Sequence, residues 1–84
     1  MMDEELNMAV FPNPSTNDFH LRIESISFDV ADVIVYDLTG RIVEKLAAQA
    51  IGRDIVVGAR LATGSYIVEV RNGAVSRKTK LVKL

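Results

Sequence analysis

Tyr66-Ile67-Val68-Glu69-Val70-Arg71-Asn72-Gly73-Ala74-Val75 decides the fold class. Tyr66, Val68 and Val70 alternate with Ile67, Glu69 and Arg71, the two-residue period that puts successive side chains on opposite faces of a strand. Asn72-Gly73 follows at once. Both residues tolerate the positive φ of a type I′ turn, so the chain reverses there and a second strand returns from about Val75 to Leu84. Tyr66, on the same side as Val68 and Val70, is expected inside with its hydroxyl bonded, as buried tyrosines generally are.

Working outward from this hairpin, the same pattern of short runs and turn residues recurs. Ile55-Val56-Val57 reads as a short strand that ends in an irregular link through Gly58. Val33-Ile34-Val35-Tyr36 has apolar side chains on both faces, as a central strand requires. Asp37-Leu38-Thr39-Gly40 reads as a type I turn, with Asp bonding the backbone ahead and Gly accepting a positive φ. Arg41 to Gln49 fits two templates. Ile42, Val43, Leu46, Ala47 and Ala50 lie along one helical face, but the tight turn before them favours a hairpin partner for Val33 to Asp37, and the strand is the reading taken. Phe19, Leu21 and Ile23 alternate with His20, Arg22 and Glu24, and Met8 to Phe11 forms a first strand. About seven short antiparallel strands predict an all-β, immunoglobulin-like β-sandwich over residues 8–84. Residues 1–7 are expected to be a disordered linker remnant.

Composition limits what such a sandwich can do. A chain of 84 residues with 49% hydrophobic side chains holds one core. A formal charge of −1 argues against whole-molecule attraction to nucleic acid or anionic lipid. The charge is polarised, however. Asp3, Glu4, Glu5, Asp18, Glu24, Asp29 and Asp32 face a single base, Arg22, before Val33, whereas Arg71, Arg77, Lys78, Lys80 and Lys83 end the chain without an acid. That basic strand reads either as a solvated edge guarded by lysines or as a segment presented to a partner. Without cysteine there is no disulfide or thiolate site. No run approaches the roughly 20 apolar residues of a spanning helix, so direct membrane insertion is not expected. The acidic start Met1-Met2-Asp3-Glu4-Glu5 is the reverse of a signal peptide's basic opening, so if the domain is exported its export signal is expected on a parent protein.

Reactive chemistry is equally sparse. The one imidazole, His20, falls on the polar face of its strand and reads as a solvated side chain. Asp29 and Asp32 read as a polar inter-strand turn, since a Ca²⁺ site wants about six oxygens or more in a defined loop. Gly52, Gly58, Gly64 and Gly73 have no phosphate-cradling spacing and read as turn residues. No catalytic residue, metal site or cofactor is expected. Phe11-Pro12-Asn13-Pro14-Ser15 is a stiff corner, because each proline fixes its own φ and restricts the residue before it.

Four stretches in order resemble the C-terminal sorting domain, type A, of the type IX (Por) secretion system of Bacteroidetes-type bacteria. They are Val10-Phe11-Pro12-Asn13-Pro14-Ser15-Thr16, Val33 through Arg41, Leu61 through Val70, and Lys78-Thr79-Lys80-Leu81-Val82. The resemblance covers about Met8 to Leu84. It implies a domain at the C-terminus of a larger secreted cargo, in transit through the periplasm and then at the cell surface or outside the cell. It also implies two partners, an outer-membrane translocon that recognises the domain and a sortase-like peptidase that removes it. The motif residues it carries over are Pro12, Asn13, Pro14, Gly40, Arg41, Gly64, Tyr66, Lys80, Leu81 and Val82. Two positions depart from the family pattern. Asn17 stands where glycine is usual and is expected to accept a positive φ, and Val57-Gly58-Ala59-Arg60 replaces an Asp-Leu-Ser-like step.

The alternative is a carbohydrate-binding or adhesive accessory domain. Exposed aromatic side chains would mark it, yet there is no Trp, and alternation assigns most of Phe11, Phe19, Phe28, Tyr36 and Tyr66 to the interior. An enzyme is the third reading, and it lacks any convergent set of reactive groups.

Overall fold

Strands follow the β-branched and aromatic runs: β1 (Leu6–Phe11), β2 (Phe19–Ser25), β3 (Val30–Asp37), β4 (Ile42–Ala50), β5 (Asp54–Val57), β6 (Gly64–Asn72) and β7 (Val75–Lys83). The computed structural model describes residues 6–25 and 28–84. All strand pairs are antiparallel and form two sheets, β1-β2-β5 and β4-β3-β6-β7. The chain passes from one sheet to the other between β2 and β3, and again between β4 and β5 and between β5 and β6. This is an all-β sandwich of the immunoglobulin-like kind, with β4 on the sheet of β3.

The inner faces supply the core. Phe19, Leu21 and Ile23 of β2 are fully buried against Val33 and Val35 of β3, Val68 and Val70 of β6, and Leu81 of β7. Each such side chain contributes roughly 1.5–3 kcal/mol relative to exposure. Leu6 is also fully buried, so β1 starts there, two residues ahead of the expected Met8. Residues 1–5 of the expected linker lie outside the described residues.

The stretch from Arg41 to Gln49 is strand from Ile42 on, within β4 (Ile42–Ala50), and its helix-like spacing has a cause. The β3–β4 register shifts between Ala31 and Val33 and again between Val35 and Tyr36, and Ala48 takes φ +53°. Such bulges set two residues against one and break the period of two. Asp32 fastens the irregularity by accepting the Ala48 N–H at 2.9 Å.

The two turns behave differently. Asp37 to Gly40 closes as expected, with the Gly40 N–H on the Asp37 carbonyl at 3.0 Å and Gly40 at φ +92°. The β6–β7 turn departs from the type I′ expectation. Asn72 pairs with Val75, leaving Gly73-Ala74 as the loop, and only Gly73 has a positive φ (+59°), the pattern of a type II′ turn. Asn72 is drawn into β6 because its side-chain amide donates to the Val30 carbonyl at 2.7 Å.

Charged hydrogen bonds on the solvent side of the larger sheet set a pH window. The Thr39 hydroxyl and the Arg41 N–H hold the Asp37 carboxyl below its usual range. Burial opposes the charge on Glu69, but the Tyr36 hydroxyl and Arg71 outweigh it, so that carboxyl is also lowered. Donation to Glu69 in turn raises Tyr36. For the carboxyls, stability is present above about pH 4, where the unfolded groups ionise, and is lost as pH falls through their lower folded values. For Tyr36 it is present below about pH 10 and lost as pH rises through the higher folded value. Urea midpoints measured across pH should fall on both sides of that window. In Glu69→Gln both limbs should be shallower, and unaltered limbs would remove this network as their source.

Candidate recognition pole

One end of the sandwich gathers the C-terminal ends of β1, β3, β5 and β7 with the starts of β2 and β6. The registers Phe11↔His20, Phe19↔Val57, Asp37↔Tyr66 and Tyr66↔Leu81 place them together. Phe11 to Ser15 leaves β1 at this pole and lies along the outward edge of β7. Pro12 and Pro14 have no N–H to offer, and both preceding peptide bonds are cis. The Asn13 side chain replaces the missing backbone partner. Its Nδ2 donates to the Lys80 carbonyl at 2.8 Å, and its Oδ1 accepts the Val82 N–H at 3.0 Å. Ser15 continues the ladder in parallel, its N–H on the Val82 carbonyl (3.0 Å) and its carbonyl on the Leu84 N–H (2.8 Å). The corner and the terminal strand are therefore one object.

Tyr66 packs across β6 from Leu81, with its hydroxyl donating to the Ala62 carbonyl at 2.8 Å. A tyrosine near the start of this strand, bonded to the backbone four residues upstream, is the tyrosine corner of immunoglobulin-like sandwiches. A model of the secretion system C-terminal sorting domain family matches residues 9–84. The chain belongs to that family. No curated protein and no solved structure matches it. It is a C-terminal sorting signal for type IX secretion, part of a larger cargo that this system handles toward the cell surface or the extracellular space.

The sorting domain brings most of its motif residues together. Pro12, Asn13 and Pro14 abut Lys80, Leu81 and Val82, and Gly64 pairs with Lys83 beside the Tyr66 ring. Gly40 and Arg41 stand one strand away on the Asp37 turn, where Arg41 Nε lies 3.3 Å from Asp37 Oδ2 and the rest of the side chain is in solvent. Within the terminal motif the roles divide. Leu81 is fully buried, Val82 is half-buried and the Lys80 side chain is exposed.

Lys83 was not singled out by its sequence, since it reads as one more base in a solvated strand. It is buried. Its ammonium donates to the carbonyls of Asn17, Gly58 (2.7 Å) and Ala59 (3.3 Å), tying three loop groups beneath the corner. The period of two from Leu81 was the available signal. Asn17 itself takes no positive φ, contrary to expectation. Ser15 Oγ accepts its N–H (3.1 Å) and donates to the Asp18 carbonyl (2.6 Å), so a side chain holds the turn instead of glycine. In the departing stretch Val57 to Arg60, Gly58 has φ +82° and donates its N–H to Glu44 Oε1 at 2.9 Å.

His20 lies between Asp18 (3.6 Å) and Asp54 (4.0 Å) and stacks on Phe11, with ring centroids 5.9 Å apart. Among the described residues no group of three or more His, Asp or Glu side chains is arranged to hold a metal ion. Asp32 serves the β4 bulge.

The double bond at Asn13 makes a sharp prediction for the sorting domain. Asn13→Asp keeps the acceptor, loses the donor and faces a carboxylate toward the Lys80 carbonyl, at a cost of roughly 1 kcal/mol or more at neutral pH. Urea unfolding should show the deficit shrinking below about pH 4, where the protonated acid regains a donor. A variant as stable as its parent at pH 7 would mean the Asn13 amide contributes nothing to holding β7.

Proposed function

We infer that the type IX outer-membrane translocon reads the folded pole built from Pro12, Asn13, Pro14, Gly64, Tyr66, Lys80, Leu81 and Val82, with Gly40 and Arg41 at its margin. The observation that carries this reading is the occupation of the outward edge from Lys80 to Leu84 by Asn13 and Ser15. Strand addition to that stretch would need those bonds broken, so the partner meets a shaped surface rather than an open edge. Leu81, Tyr66 and the prolines hold the surface, and the exposed side chains of Lys80 and Arg41 are what it presents. The cargo reaches this translocon from the periplasm, and a sortase-like peptidase later removes the domain at the cell surface.

The experiment is fractionation of a signal-peptide-bearing reporter fused to Met1–Leu84 in a host with type IX machinery. Deleting Lys80 to Leu84 would remove the buried Leu81 and Lys83 and unfold the domain, so point changes at exposed atoms are the better probe. The parent fusion should leave the cell. Arg41→Gln/Lys80→Gln should fold, because exposed charges contribute little to stability, yet leave most of the reporter in the periplasm. Undiminished export of a folded double variant would overturn the assignment of the pole.

A further inference from the structure

The solvent face of the larger sheet is unlike an ordinary wet sheet surface. Val33, Val35, Val68, Val70 and Leu81 point inward, so Ile34, Tyr36, Ile67, Glu69, Arg71, Lys78 and Lys80 point out. Two rows cross the strands there. Lys45, Ile34, Glu69 and Lys78 form one, and Ile42, Tyr36, Ile67 and Lys80 the other. Although outward, Ile34 is 4% exposed and Glu69 is 3% exposed. The Glu69 carboxylate accepts the Tyr36 hydroxyl at 2.7 Å and Arg71 Nη2 at 3.1 Å, which neutralises it and fixes both neighbours. A buried ion pair is weak evidence for stability, and its best-attested use is to fix geometry. Here the fixed groups are a half-buried ring and a guanidinium whose Nη1 has no partner among the described residues.

Beside this network the Asp37 to Gly40 turn raises Leu38, 66% exposed, as one wall of a cleft of about 370 Å³. Tyr36, Ile67, Arg71 and Lys78 line the rest together with Asp37, Gly40 and Glu69. Among the described residues Lys45, Lys78 and Lys80 have no side-chain hydrogen bond or ion-pair partner. The acids beside the cleft are spent, Glu69 on Tyr36 and Arg71, Asp37 on Thr39 and the Arg41 N–H, and Asp32 on the Ala48 N–H. A cleft of similar size beside Val43, Glu44, Arg60 and Leu61 holds a single cation, Arg60, and so lacks the cluster of bases found here.

We propose that this face is a docking groove for an acidic extended segment of a partner protein, one apolar side chain entering between Leu38 and Ile67 and flanking carboxylates meeting Arg71, Lys78 and Lys45. Charge complementarity selects the occupant. A guanidinium fork suits a carboxylate, and an apolar floor rewards a side chain that a bare polyanion lacks. The chain's net charge of −1 also disfavours broad attraction to anionic lipid or polysaccharide, leaving a short local contact. Gly40 borders both the groove and the pole, but Lys45 and Lys78 lie outside the pole and probe the groove alone.

The test measures fluorescence polarisation and amide chemical shifts of the full 84-residue chain with a short fluorescein-labelled peptide, a central phenylalanine flanked by glutamates. Its counterpart with glutamines is the control. The glutamate peptide should shift the amides of Tyr36, Ile67 and Arg71 and bind about tenfold or more tightly than the glutamine peptide. Lys45→Gln/Lys78→Gln should weaken it by a similar factor at an unchanged unfolding midpoint. Leu38→Ser should weaken both peptides. Equal binding of the two peptides, shifts confined to the Asn13 and Val82 pole, or no binding overturns the proposal. So does stronger competition from heparin or phosphatidylglycerol vesicles than from unlabelled peptide, which would make the face a polyanion surface.

Discussion

Replacing Tyr66 by alanine is expected to remove roughly 3–5 kcal/mol of stability, a large share for a domain whose whole reserve is about 5–15 kcal/mol. Three losses combine in that one change. The ring, 9% exposed, leaves a cavity between Leu81 and the β3 end. The Ala62 carbonyl loses its donor at 2.8 Å, which frees the link that brings the chain from the smaller sheet back to the larger. Gly64 also loses the ring that flanks it, 3.9 Å from where a Cβ would stand. Tyr66→Phe keeps the ring and gives up only the hydroxyl, so it should cost about 1 kcal/mol. Urea unfolding followed by circular dichroism separates the two. A Tyr66→Ala midpoint no lower than that of Tyr66→Phe would show that the ring is not a core element.

Gly58→Val should rank next, at about 3 kcal/mol or more. A β-branched residue at φ +82° is strained by roughly 1–3 kcal/mol before any neighbour is considered. The new Cβ would also stand 2.7 Å from Cδ1 of Phe19, a fully buried ring that has nowhere to go, and overpacking of that kind costs about 1–3 kcal/mol more. The Gly58 N–H and carbonyl also anchor Glu44 and Lys83, so a shift of the loop disturbs both. Gly40→Val is the control. It has a similar φ of +92° but no atom within 4 Å of the added Cβ, so it should show the conformational part alone. Equal thermal midpoints for the two variants would dispose of the Phe19 clash.

These positions show what the sequence could and could not reveal. Alternation in Phe19 to Glu24 and in Tyr66 to Arg71 announced strands and their buried faces, because a strand's period is local and survives any tertiary setting. The motif residues at Asn13 and Lys80 were legible by resemblance, but their mutual bonding was not, since an amide standing in for two absent backbone partners depends on where the corner lands. Lys83 escaped for the opposite reason. A lysine is ordinarily a surface residue, and only the three carbonyls converging from two loops make its burial affordable. At Asn72-Gly73 a strong local preference yielded to a distant carbonyl, that of Val30.

The bonds between the proline corner and the last strand join groups as far as 69 positions apart. Synthesis delivers one partner near the start and the other at the end, so Asn13 and Ser15 wait for almost the entire domain before their acceptors and donors exist. A chain that stops before Lys80 offers Asn13 neither of its partners. A translation product that stops early, or one trimmed at its end, carries the same early residues in the same order and still lacks the pole. The fold thus acts as its own proofreader, because that surface needs a last strand made as far as Val82.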